Sequence, residues 1–155
     1  MIDFVKSLLT DFDPTALLPD LGALFSNLEL VLRIAVLIGP LCLLGFGLCY
    51  LLIPAPEANH TYGYRFYWGM SSVEVWQFTQ RLAGLVWTGM GLVMTIVMAV
   101  LCNGYREMAQ DAMLYSALTA IGWEIGLIAA SILTINITVI ILFDRKGYRR
   151  QRLRR

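Results

Sequence analysis

Asn59–Gly84, NHTYGYRFYWGMSSVEVWQFTQRLAG, is the only long polar interruption between two blocks apolar enough to lie in a bilayer. Its first half gathers Tyr62, Tyr64, Phe66, Tyr67 and Trp68 around Arg65; its second half reads as the start of a helix carrying Glu74, Trp76, Gln80 and Arg81. Ser71-Ser72-Val73-Glu74 fits a capping box, in which the Ser71 hydroxyl accepts from the Glu74 amide and the Glu74 carboxylate returns to the cap. No breaker separates this start from the apolar run that begins at Leu82, so one helix is expected to pass from the loop directly into the membrane.

Outward from this stretch, charge is missing from Ile34 to Ile53, from Leu82 to Cys102 and from Ile125 to Phe143. Each run approaches the roughly 20 residues that a helix needs to cross the hydrocarbon. With 58% hydrophobic and only 15% charged residues and a mean hydropathy of +0.67, the chain lies outside the range of soluble domains. The expected fold is therefore an all-α integral membrane protein with three transmembrane helices preceded by an N-terminal amphipathic segment. In order, the expected units are that extracytoplasmic segment (1–27), a first span (28–53), a cytoplasmic aromatic loop (54–71), an interfacial helix continuing into the second span (72–102), an outer loop (103–112), a third span (113–143) and a basic cytoplasmic tail (144–155).

The orientation rests on charge. Arg145, Lys146, Arg149, Arg150, Arg152, Arg154 and Arg155 follow the last span, and the positive-inside rule puts that tail in the cytoplasm. Three spans then leave the central loop inside and the N-terminus outside, where Asp3, Asp11, Asp13 and Asp20 predominate. These aspartates also break any signal-peptide pattern; Asp13-Pro14 and Pro19-Asp20 read as helix starts on the membrane surface. Directly after a span, the basic tail reads as a topology signal touching anionic lipid, and no direct nucleic-acid contact is expected.

Within the spans, Glu29 and Arg33 are spaced to pair, and Gly39-Pro40 predicts a kink. Gly84, Thr88, Gly91 and Thr95 form a small-residue face on the second helix, and Gly122, Gly126, Ala130, Thr134 and Thr138 form one on the third. Such faces allow close packing, so the two are expected to meet each other or a second protomer. Glu124 lies about 28 Å before the end of the third span, at the outer edge of the hydrocarbon, where it is either an interfacial anchor or a functional carboxylate. Asn136, deeper, reads as an interhelical hydrogen-bonding residue. Cys42, Cys49 and Cys102 read as small apolar fillers. No paired carboxylates, Ser/His/Asp set, phosphate loop or metal-ligand spacing occurs, so neither catalysis, metal nor cofactor is expected.

Asn59, Gly63-Tyr64-Arg65, Ser71-Ser72-Val73-Glu74-Val75-Trp76 and Gln80-Arg81-Leu82-Ala83-Gly84 resemble the signature of the SdpI immunity-protein family: an Asn, a Gly-x-Arg-Thr, a Ser-rich helix start, a Trp, and an Asn-Arg or His-Arg before a Gly. Phe66 stands in place of the usual Thr, Gln80 in place of the Asn or His, and His60 where a basic residue is common. Fuller members carry further spans ahead of the motif, so the chain resembles a short, diverged member. The resemblance implies a multi-pass protein of the bacterial plasma membrane that protects its producer from a secreted peptide toxin. It also implies signalling through a cytoplasmic regulator held at the membrane. Asn59, Gly63, Arg65, Glu74, Trp76 and Arg81 are then the partner-binding candidates, against the alternative that Asn59, Gly63 and Trp76 only build a turn and an interfacial anchor. Arg65 either meets a partner or pairs internally with Glu57 or Glu74. The competing class is a non-catalytic accessory subunit of a larger membrane complex such as an exporter. For that class the small-residue faces imply self-association or a partner membrane protein.

Overall fold

A computed structural model describes residues 27–59 and 61–150. The amphipathic segment expected before residue 27, His60, and the last arginines of the tail (Arg152, Arg154, Arg155) lie outside the described residues. Three long helices form an up-down-up bundle: α1 (Leu28–Leu52), α2 (Val73–Asn103) and α3 (Gln110–Leu142). All three are long and apolar enough to cross a membrane. Their outer faces expose large apolar side chains along the whole length, among them Phe46, Leu85, Val93, Val100, Leu118, Ile125 and Ile141. Water would not tolerate so continuous an apolar skin, whereas lipid chains match it. The chain is an all-helical, multi-pass membrane protein.

α1 and α2 make the closest contact, and glycine is the reason. A β-carbon on Gly47 would collide with the Thr88 backbone; one on Gly91 would stand 2.5 Å from the Leu44 amide, and one on Gly84 would stand 2.8 Å from Leu51. The small face of α2 therefore lies against α1, and its expected meeting with the small face of α3 does not occur. That α3 face points outward instead: Gly122, Gly126, Ala130 and Thr134 are exposed, and the two glycines have open space around them. α3 settles on the pair with a different stripe, Met113, Ala117, Ala120, Glu124, Ser131, Ile135 and Val139. These residues recur at steps of three, four or seven, the spacing of a helix seam.

Two other expectations shift. The cap of α2 is Ser72, whose hydroxyl accepts from Val75 N–H at 3.3 Å, and not Ser71. A 3₁₀ turn at Trp68–Met70 takes Ser71 for itself, with the Ser71 amide and hydroxyl both donating to the Trp68 carbonyl. Ser72 is thus the first extended residue before the helix, and Glu74 remains in the first turn, where the macrodipole favours an acid. The connection to α3 is also shorter than expected: a 3₁₀ turn at Gly104–Glu107 brings the chain round, and α3 starts at Gln110.

Beyond α3 the chain folds back as a small hairpin. Phe143 and Arg149 pair as an antiparallel bridge, Arg150 N–H donates to the Leu142 carbonyl at 2.8 Å, and Gly147 takes the positive φ of 80° that closes the turn. The Asp144 carboxylate accepts from the amides of Lys146 and Tyr148, the Asx arrangement that suits such a turn. Gly147 packs on the α2 cap: its carbonyl accepts from the Ser72 hydroxyl at 3.2 Å.

The glycine geometry predicts unequal tolerance. Gly91→Val wedges α1 from α2 and destabilises the bundle by about 1–3 kcal/mol, whereas Gly122→Ala leaves thermal unfolding in detergent unchanged. Equal loss for both variants would contradict this packing.

Candidate functional site

The polar stretch between α1 and α2 is a built structure and not a slack connector. Pro54 and Pro56 stop α1. Asn59 then forms a double Asx turn, its Oδ1 accepting from the amides of Thr61 at 2.9 Å and Tyr62 at 2.8 Å while its Nδ2 donates to the Glu57 carbonyl. Gly63 follows with φ +111°, a conformation that only glycine adopts without strain. Space forbids a side chain there as well: a β-carbon would lie 2.8 Å from the Trp76 ring and 2.9 Å from Gln80 Oε1.

The turn delivers the backbone of Tyr64 to Gln80. Gln80 Oε1 accepts from Tyr64 N–H at 2.8 Å, and Gln80 Nε2 donates to the Tyr64 carbonyl at 2.9 Å. Gln80 is buried to 1% exposure, so this paired amide replaces water for both backbone groups. One helical turn earlier, the fully buried Trp76 donates its indole N–H to the Ala55 carbonyl at 2.9 Å. Two residues of α2, four apart, thereby hold both ends of the loop, and Gly69 closes on Thr79 from the other side.

The Tyr64 side chain carries the fastening across to α3. Its hydroxyl donates to Asn136 Oδ1 at 2.7 Å, and its ring meets Trp87 edge-on at 5.4 Å. Trp87 in turn donates to the Ser131 hydroxyl at 3.1 Å and lies 5.7 Å from the Tyr50 ring. Burial, the neighbouring Tyr50 and a smaller opposing effect of the Asn136 bond leave the Tyr64 phenol pushed up to about 12. It stays a neutral donor at any pH the protein meets.

The expected site residues thus separate into two groups. Asn59, Gly63 and Trp76 come together in the clamp, and Asn136 joins them through Tyr64. Arg65, Glu74 and Arg81 are exposed around it, on the loop and on the first turns of α2. Around the outer side, Phe66 stacks on Trp68, Tyr67 stands almost fully out in solvent, and the Arg145 guanidinium lies 5.5 Å above the Trp68 ring, within cation-π range. The Tyr62 hydroxyl and the Trp68 indole N–H are shielded from water without a partner among the described residues. Gly84, Thr88 and Gly91 serve the α1 contact, and Gly122 and Gly126 face outward. Glu124 belongs to neither group: it is buried at 4% exposure against Gly39 and so does not reach out as an interfacial anchor. Sequence reasoning missed Tyr64 and the clamping role of Gln80, although Gln80 stands at the motif position where an Asn or His is usual.

A family model described as the SdpI/YfhL protein family matches residues 57–142, more than half of the chain. The chain belongs to the SdpI/YfhL family. Among curated proteins and among solved structures, nothing matches it. The SdpI/YfhL match starts in the Asx turn and runs to the last residue of α3, so it takes in the clamp apart from Ala55, together with α2 and α3.

Removing the clamp has a defined cost. Gln80→Leu leaves the buried Tyr64 amide and carbonyl unpaired, about 1–3 kcal/mol for each group, and Gly63→Ala adds backbone strain of about 1–3 kcal/mol to its collision with Trp76. Both variants should lower the thermal midpoint in detergent and admit protease between residues 57 and 70. Gln80→Asn, too short to span the gap, should behave like the leucine variant.

Proposed function

We propose that this SdpI/YfhL chain is an immunity protein of the bacterial plasma membrane, protecting its producer against a secreted peptide toxin, with the clamped loop as the surface that docks a cytoplasmic regulator. Family membership over residues 57–142 carries the reading. Its support is the form of the loop. A rigid base of Asn59, Gly63, Trp76 and Gln80 presents Arg65, Glu74, Arg81, Tyr67 and the Trp68 ring at the surface, and a rigid display lowers the ordering cost of binding. In the proposed orientation the basic residues of the tail hold this end in the cytoplasm, and the turn at residues 104–109 faces the toxin side.

A second reading has its own observation. The outward stripe of Gly122, Gly126, Ala130 and Thr134 suits close approach by another transmembrane helix, as in an accessory subunit of a larger membrane complex. The chain would then purify in mild detergent with a second membrane protein, and a monomer without partners excludes it.

Challenge with the producer's own and neighbouring peptide toxins tests the first reading. Deletion of the gene should sensitise the cell. Arg65→Ala should cut the tolerated toxin dose about tenfold, the factor that about 1.4 kcal/mol of lost interaction carries, at unchanged membrane level. Unaltered resistance in the deletion strain would refute the immunity role, and loss of the Arg65→Ala protein itself would assign Arg65 to folding.

A further inference from the structure

Glu124 takes no part in the clamp, yet it is the most completely buried acid among the described residues. It projects from the inner stripe of α3 toward the middle of α1, and its Oε1 has no hydrogen-bond partner. Its Oε2 stands 2.6 Å from the place a β-carbon on Gly39 would occupy, so the carboxyl lies directly against α1 at this glycine. The next residue is Pro40, inside an unbroken α1. Proline has no amide hydrogen, which leaves the carbonyl of Val36, four residues back, without its helical donor.

Helical side chains lean toward the N-terminus, and hydroxyls at a given position commonly bond the carbonyls three and four residues earlier. A carboxyl oxygen 2.6 Å from the β-position of residue 39 lies on the face of α1 that carries the carbonyls of Ala35 and Val36, the second of which Pro40 sets free. An ionised carboxylate there would face carbonyl oxygens, negative end to negative end. A neutral carboxylic acid would donate its O–H to the free carbonyl and satisfy both groups.

The surrounding charges point the same way. Arg33 on α1, Cys102 on α2 and Tyr105 in the following turn are the titratable or charged groups at this level of the bundle. Arg33 is engaged by Glu29 at 2.6 Å, and among the described residues Glu124 takes part in no ion pair. Charging an acid in such surroundings is strongly unfavourable. The described residues also hold no group of three or more acidic, Cys or His ligands that would coordinate a metal ion.

We propose that Glu124 is a proton-binding site in the membrane interior, which as the neutral acid hydrogen-bonds the Val36 carbonyl released at Pro40 and so latches α3 to α1. The ligand is a proton, and Pro40, by removing one amide from α1, gives it an acceptor.

Infrared spectroscopy of the full chain in lipid, near neutral pH, tests this. The wild type should show the C=O stretch of a protonated carboxyl, and Glu124→Gln, which keeps a donor of the same shape, should lack it. Pro40→Ala restores the amide that occupies the Val36 carbonyl, so in that variant the same band should move to higher frequency. This second variant also keeps the question open to measurement if the first does not fold. An ionised-carboxylate band lost in Glu124→Gln, with or without sodium, overturns the proposal, as does a protonated band that Pro40→Ala leaves in place.

Discussion

The arrangement depends on one side chain amide. Gln80 satisfies the amide and carbonyl of Tyr64 at 2.8 and 2.9 Å, at the level where the loop sinks toward the bundle. Backbone groups at that depth have no water to turn to, and irregular chain next to hydrocarbon persists only where protein supplies every hydrogen bond. Trp76 does the same for Ala55 one turn below. The loop is therefore an extension of α2 in mechanical terms: it is fastened to the first two turns of that helix and would move with it.

That fastening explains why the motif residues are of such different kinds. Asn59 makes the turn, Gly63 leaves room for the indole and the amide, and Trp76 and Gln80 hold the two ends. Trp76 and Gln80 are buried, and the half-buried Asn59 has its side chain engaged in the turn. The exposed residues, Arg65, Glu74 and Arg81, are arranged on this base. The family signature in this chain is thus largely a recipe for a shape, with only a few of its groups left facing outward.

The helices were legible because hydropathy over 19 to 21 residues is a local property of sequence, and the three charge-free runs coincide with the three observed helices, two of them overrunning the helix end by one residue (Ile53 and Phe143). Partners were not legible, because they depend on distances in space. Gly84, Thr88 and Gly91 announce a close contact, but nothing local says that Gly47 and Leu44 will receive it, and the similar stripe on α3 receives nothing in this bundle. The capping serine was misread by one residue because the 3₁₀ turn that captures Ser71 starts at Trp68, outside the four-residue pattern. Gln80 looked like a polar residue on an entering helix; its partner lies 16 residues upstream. Glu124 could be placed along α3 from its sequence position, while its burial required knowing that Gly39 opens a space opposite.

α3 is held to this frame less extensively than α1 and α2 are held to each other: away from the loop Met113, Ala117 and Ala120 join an apolar cluster with Val36, Met98 and Cys102, and near the loop its attachments are polar. Tyr64 reaches Asn136, Trp87 reaches Ser131, and the hairpin after α3 sets Gly147 on Ser72 and Arg145 over Trp68. In hydrocarbon, association between helices gains nothing from burying apolar surface, so such directional contacts and close packing decide the geometry. Glycine gives α1 and α2 the close packing; α3, whose Gly122 and Gly126 face outward, is seated by the apolar seam at the end away from the loop and by directional contacts at the loop end.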